Sequence, residues 1–301
     1  MKWVESVPNF SEGRKKETVE EIIRETEKYD KVWVMNWSMD KDHNRSVVTM
    51  AGEPSQIVNA LFDMTKKARE LIDLRNHTGE HPRMGATDVI PIIPLKNITL
   101  DECKEYANDL GKKIGEELRI PVYLYEKTAT SPIRADLSVI RKGQFEGFVE
   151  KIKLEEWKPD FGPEEIHPSA GVVAVGVREF LIAYNVNLGT DNLDIAKKIA
   201  KSLRYRTGGY RYVKALGLEL KEKGIVQVSM NLTNYKKSTI YRVFETVKFE
   251  AARYGVNILG SEIIGLIPIQ ALVNTCEYYL GLDDFDASRI IEYRLMDILE
   301  K

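Results

Sequence analysis

Residues 75–95 read RNHTGEHPRMGATDVIPIIPL, a polar loop punctuated by Gly79, Pro82 and Gly85 that runs directly into an apolar strand over 89–93. Just upstream, Pro54 and Ser55 open a long helix in which Ile57, Leu61, Met64, Ala68 and Leu71 recur at helical spacing, so the helix covers one face of a sheet. Working outward, residues 3–7 form a short strand ended by Pro8, and Ser11 with Glu12 begins an amphipathic helix reaching about Tyr29. Strands over 32–37 and 46–50 flank a polar loop that carries Asp40, Asp42, His43 and Asn44. Residues 100–118 read as helix, 122–125 as strand, and 134–141 and 145–153 as weaker helical patches. The stretch WKPDFGPEEIHPSAG, residues 157–171, holds three prolines and two glycines and excludes regular structure. Its end sets the subdomain junction, giving an N-terminal part over 1–172 and a C-terminal part over 173–301. Beyond it, 172–175 and 181–186 suggest a hairpin, followed by a helix over 193–203, a strand over 226–230, a helix over 239–254 and a closing strand over 257–266. The order β-β-α-β-α-β suits a ferredoxin-like unit with an added strand. The fold class is α+β: two subdomains, each a mixed or antiparallel sheet layered with helices on one side.

A chain of 301 residues with 43% hydrophobic and 30% charged side chains is a folded globular protein. Its 44 basic and 46 acidic side chains leave a formal charge of −2, which creates no overall field for nucleic acid or an anionic membrane. Cys103 and Cys276 fall on separate helices without the spacing of a metal knuckle or redox pair, and read as buried free thiols. MKWVESVPNF meets charge and proline before any apolar run long enough for a signal peptide, and no 18-residue apolar stretch follows, so the expected location is the cytoplasm. Neither a P-loop nor a G-x-G-x-x-G motif after a strand supports a nucleotide cofactor.

His77 to His81 spells H-x-x-E-H, the pattern of inverted zinc peptidases. That pattern grips a metal only on a helix, whereas Gly79 lies between the histidines and Pro82 follows the second; no third ligand stands out, so no metal is expected. Without a metal, His81 between Glu80 and Arg83 suits proton transfer near neutral pH. The plainer alternative is that His77 and His81 only hold the shape of the loop. Arg45 and Arg83 have the geometry to fork onto a substrate carboxylate. RYRTGGYRYVK, residues 204–214, gathers basic side chains around Gly208 and Gly209 and could hold an anionic tail; its interleaved tyrosines also permit single-stranded nucleic acid, although such loops are mostly just solvated.

Taken together, VPNFSEGR, HNRSVVTMAGEP, HTGEHPRMGATDVIPIIPL, PVYLY, WKPDFGP, FLIAYNVNL and IIGLIPIQAL resemble the glutamate formimidoyltransferase family, in the same order and over nearly the whole chain. The resemblance implies a homodimeric two-subdomain transferase that binds folate between its subdomains and moves the formimino group of N-formimino-L-glutamate to tetrahydrofolate. The family's catalytic histidine falls on His81. Its folate-contacting stretch falls on 157–166, which implies that Asp160, Phe161 and Gly162 lie near the pterin or its linked ring. Relatives carry an aspartate near the end of the second strand; aligning on Asn44 and Arg45 puts Ser38 there, with Asp40 or Asp42 as the substitute carboxylate. Animal relatives continue into a cyclodeaminase domain and this chain stops at Lys301, so its product is expected to pass to a separate enzyme. The competing readings are formyl transfer between N-formyl-glutamate and tetrahydrofolate, the zinc peptidase, and a folate-binding protein without turnover.

Overall fold

The computed structural model describes residues 1–299. It divides into two compact units, one over residues 1–178 and one from Glu179 onward. The first unit runs β1 (Trp3–Ser6), β2 (Asn9–Phe10), α1 (Lys16–Arg24), β3 (Val32–Asp40), β4 (Arg45–Gly52) and α2 (Pro54–Leu71). It continues through β5 (Thr87–Lys96), α3 (Leu100–Lys113), β6 (Val122–Glu126), α4 (Leu137–Ile140), α5 (Gln144–Lys151) and β7 (Val173–Val177).

These strands form one seven-stranded mixed sheet. β1 and β2 are two pieces of one interrupted strand, each paired with β4 on one side and β5 on the other. The break falls at Pro8, which has no N–H to give to a ladder. β3 pairs with β4 at one edge, while β5, β7 and β6 run parallel at the other. The ladder between β2 and β5 slips by one residue: Asn9 faces Val89 and Phe10 faces Thr87, so Asp88 is the extra residue of a β-bulge.

On one face, Val48, Met50, Ile90, Ile92, Val173 and Val175 pack against Ile57, Leu61, Met64 and Ala68 of α2 and Ala107 and Leu110 of α3. The α2 stripe therefore sits where its spacing predicts, except that Leu71 is exposed. Glu53 caps this helix by accepting the Gln56 N–H, and Pro54 fills its first turn. Helices also cover part of the opposite face, contrary to the one-sided layering expected: Val89, Tyr123, Tyr125 and Ala174 pack against Ile140 of α4, Phe148 of α5 and Trp157.

Three other expectations change. The first helix starts at Lys16 rather than Ser11, because Ser11 to Lys15 are drawn into a loop. There the Ser11 N–H donates to the Ala86 carbonyl, and the Glu12 carboxylate accepts the N–H groups of Arg14 and Lys15. The predicted hairpin of 172–175 with 181–186 does not form; Val173–Val177 is the buried strand between β5 and β6, and the contact boundary follows Arg178. Cys103 is buried as expected, whereas Cys276 is exposed.

The second unit runs β8 (Ile182–Leu188), α6 (Leu193–Leu203), β9 (Val213–Leu220), β10 (Ile225–Leu232), α7 (Ile240–Ala252), β11 (Ile258–Ile264), α8 (Ile269–Leu280) and α9 (Ile291–Leu299). Its first six elements give β-α-β-β-α-β, and the antiparallel sheet has the order β11-β8-β10-β9. This is the ferredoxin-like arrangement, reached without the added strand. Val186, Val228 and Met230 pack against Ala196, Ile199, Val243 and Val247 of α6 and α7. Among the described residues, no helix is long and apolar enough to cross a membrane.

Gly85 makes the closest backbone approach near the loop of residues 77–85. A Cβ there would lie 2.1 Å from the Val172 carbonyl oxygen and 2.5 Å from that of Thr87, and neither backbone group can swing aside. Gly85→Ala is expected to destabilise the protein by about 1–3 kcal/mol through overpacking, read as a lower thermal midpoint. An unchanged midpoint would mean the backbones separate freely.

Candidate active site

Three loops meet at the β2–β4–β5 end of the first sheet, and Asn44 ties them together. It adopts a left-handed φ of 48° at the tip of the β3–β4 hairpin. Its Oδ1 accepts the Gly13 N–H at 2.9 Å, and its Nδ2 donates to the Thr78 carbonyl at 2.9 Å. Gly79 lets the two loops touch, since a Cβ there would be 2.4 Å from the His43 carbonyl oxygen.

His77 belongs to this scaffold. Its Nδ1 accepts Arg83 Nε–H at 3.1 Å, so its Nε2 carries the proton and donates to the Asn44 carbonyl at 3.0 Å. Burial first, opposed by that hydrogen bond, holds its pKa below the ordinary imidazole value. With both nitrogens engaged, and with residues 77–81 outside any helix, His77 and His81 do not present the paired ligands of the H-x-x-E-H reading. Among the described residues, no group of three His, Cys, Asp or Glu side chains is placed to hold a metal ion.

His81 lines a small pocket with Ser11, His43, Asn44, Arg45, Arg83 and Asp88. Arg45 Nη1 lies 2.6 Å from its Nδ1 and 2.5 Å from its Nε2. A cationic guanidinium this close disfavours a second positive charge on the ring, which favours the neutral imidazole. Burial, then the charges of Arg45 and Arg141, drive the His81 pKa down to about 3, with Asp88 acting weakly the other way. His43 stands edge-on to His81, ring centroids 6.1 Å apart. Its Nδ1 is 2.8 Å from Asp40 Oδ2.

Arg45 begins β4, with Nε donating to Asn9 Oδ1 at 2.8 Å and Nη2 to the same oxygen. Burial and then Arg141 lower its pKa to about 9, still charged at neutral pH, while Asp88 sustains the charge. Asp88 is the carboxylate beneath it. Burial alone would raise the Asp88 pKa, but Arg141, Arg45 and the Met84 N–H together outweigh burial and hold it below the usual value. The sequence reading missed Asp88, Arg141 and Asn9. The available signal was Asp88 itself, a charge heading the otherwise apolar run TDVIPIIPL.

The other predicted site residues are placed differently. All five Arg83 donors are engaged: Nε with His77, Nη1 with Gln144 and Glu146, and Nη2 with Glu146 and the His77 carbonyl. Asp40 accepts the Asp42 and His43 N–H groups, and Ser38 is exposed two residues earlier on β3. Asp160, Phe161 and Gly162 lie at the β6 edge and do not line the pocket. Asp160 Oδ2 accepts the Leu124 N–H at 2.8 Å and an Arg134 N–H at 3.1 Å, while Thr130 Oγ1 donates to Oδ1. Phe161 and Gly162 press against Gly111 and Gly115, where a Cβ on Gly115 would be 2.6 Å from the Gly162 nitrogen. Gly208 is in the second unit, at φ 95° after the turn Tyr205–Thr207.

Comparison with known proteins accounts for both units. The N-terminal subdomain of the formiminotransferase domain matches residues 3–178, and the formiminotransferase domain matches residues 183–295. The chain belongs to the formiminotransferase family. It is similar to the glutamate formimidoyltransferase of Streptococcus pyogenes serotype M1, 51% identical over 98% of this chain and 99% of the relative. The glutamate formimidoyltransferase of Thermoplasma acidophilum is 50% identical over 98% of each chain. The formimidoyltransferase-cyclodeaminase of Dictyostelium discoideum is 41% identical over 94% of this chain but only 54% of the relative. Within the formiminotransferase family, this chain thus matches the two glutamate formimidoyltransferases over nearly their whole length and the formimidoyltransferase-cyclodeaminase over about half of its length.

Proposed function

We propose that the chain transfers the formimino group of N-formimino-L-glutamate to tetrahydrofolate, giving 5-formimino-tetrahydrofolate and glutamate. One observation carries this reading: the half-identical match to two glutamate formimidoyltransferases over nearly the full length of every chain. Tetrahydrofolate is the co-substrate.

In the reaction, the secondary amine at folate position 5 attacks the amidine carbon. The tetrahedral intermediate collapses by breaking the bond to the glutamate nitrogen. The attacking amine must lose a proton and the departing one must gain one. A neutral His81 can accept the first proton and return it to the leaving nitrogen, a role worth about 10²- to 10⁴-fold in rate. Arg45 stands beside the ring with Nε and Nη2 engaged by Asn9, and Arg83 has Glu146 as a bidentate partner, so Arg45 acts on the imidazole rather than as the holder of a substrate carboxylate. The loop at Gly208 and the stretch at Asp160, Phe161 and Gly162 are assigned to the folate and its tail, and Ser38 with Asp40 to the donor. The product assay that tests this transfer closes the Discussion.

The depressed His81 pKa carries a pH expectation. A base is active in its deprotonated form, so an acid limb set by His81 lies near pH 3 rather than near the ordinary 6.5. The kcat/KM profile should therefore show no histidine limb between pH 5 and 8. A limb centred near 6.5 that His81→Gln abolishes would contradict the partly buried, arginine-flanked imidazole.

The chain is further read as a cytoplasmic homodimer that engages neither nucleic acid nor membrane. Light scattering on the eluting protein tests the dimer, and a monomer mass at micromolar concentration would refute it.

A further inference from the structure

The buried carboxylate of Asp88 has no role in the proton transfer just described, yet it pairs with both Arg45 and Arg141, the two guanidinium groups whose charges act on His81. It enters from the β-bulge opposite Asn9 and Phe10, with 2% of its side chain exposed, so it reaches neither water nor substrate. Its Oδ1 accepts the Met84 N–H at 2.8 Å, pinning the loop three residues after His81. Its Oδ2 accepts an Arg141 N–H at 2.5 Å and lies 3.7 Å from Arg45 Nη1, the atom in contact with the imidazole. Arg141 arrives from the end of α4, packed on the opposite side of the sheet from α2.

The groups facing His81 are Arg45 from β4, Arg141 from α4, His43 from the β3–β4 hairpin, Arg83 from its own loop and Asp88 from β5. Arg83 is neutralised by Glu146. That leaves two guanidinium groups and one carboxylate. Without Asp88 the two arginines would repel each other, and the Arg45 side chain would lose the anchor on its Nη1 side. A lone buried carboxylate holding two arginines is a costly arrangement for stability alone, since buried ion pairs contribute little net. Its placement on a bulge, a device that re-aims a side chain, points to a site requirement.

We propose that Asp88 is a positioning residue: with Arg141 as its counter-ion, it holds the Arg45 guanidinium against His81, so its charge sets the turnover rate and leaves substrate affinity alone. This rests on the reading of His81 as the proton-transfer group. Asp88→Asn keeps the shape and the acceptor for Met84 but removes the charge, and it risks misfolding by stranding two arginines. Asp88→Asn combined with Arg141→Gln removes one charge of each sign and keeps the local balance of the wild type, so it separates folding from positioning.

The test measures kcat and KM for both substrates in the double variant, with His81→Ala alongside and circular dichroism to confirm the fold. The expected result is a kcat lowered at least tenfold, KM values within threefold of wild type, and a normal melting transition. A folded double variant with wild-type kcat would overturn the proposal while leaving His81 intact, provided His81→Ala is inactive. A fully active His81→Ala would instead show that the reading of His81 has failed. Equal losses in kcat and in affinity would also overturn it, because they would mark a general disturbance of the pocket.

Discussion

His81→Ala should lower the rate of formimino transfer by about 10²- to 10⁴-fold, the usual contribution of a positioned acid–base group. The variant should still bind folate and melt cooperatively. The imidazole is only partly buried, and its hydrogen-bond partner among side chains is Arg45, which keeps Asn9. Removing the ring leaves no orphaned buried carboxylate, so stability is expected to move by no more than about 1 kcal/mol. Folate affinity by spectral titration, turnover by product formation and a thermal scan separate these quantities. Undiminished turnover would remove His81 from the mechanism.

The second large effect concerns stability. Asp160 and Arg134 are a buried pair, each side chain 8% exposed, and Arg134 also donates to the Glu156 and Lys158 carbonyls. Together they fasten the irregular segment that follows α5 onto β6, where Asp160 also accepts the Leu124 N–H. Arg134→Met strands a carboxylate and Asp160→Ala strands a guanidinium. Each is expected to cost about 3–5 kcal/mol, the penalty for breaking one side of a buried ion pair. Urea denaturation reads this as a lower midpoint with an unchanged slope. The resemblance implies folate near this stretch, whereas in the structure the Asp160 carboxylate is engaged within the chain. A variant with normal stability but lost folate affinity would put the carboxylate itself in the ligand contact.

What could be read in advance follows from how local each signal was. The α2 helix was legible because its apolar spacing, its proline and its cap all lie within one segment. The partner of β7 is not legible, because a fully buried parallel strand shows only a continuous apolar run, VAVGV, which does not say which sheet it joins. β9 was missed altogether. VKALGLEL buries only Val213 and Ala215 fully, and its Lys, Glu and Gly hide the alternation. Even so, the ferredoxin-like outline emerged, since one misplaced strand replaced one overlooked.

The pocket divides in the same way. His81 and Arg45 carry their chemistry in their own side chains and were found directly. Asp88 becomes visible only through the bulge, a product of pairing between β2 and β5, and Arg141 only through the packing of α4. Arg83 lines the pocket, but its engagement by Glu146 depends on a residue 63 positions away. Contacts of that range leave no trace in local sequence.

The most direct test of the account is to incubate the purified protein with tetrahydrofolate and either N-formimino-L-glutamate or N-formyl-L-glutamate, then identify the folate product by mass. Formation of 5-formimino-tetrahydrofolate with one equivalent of free glutamate from the formimino donor is the expected result. Transfer from the formyl donor alone, or no folate product from either, would contradict it.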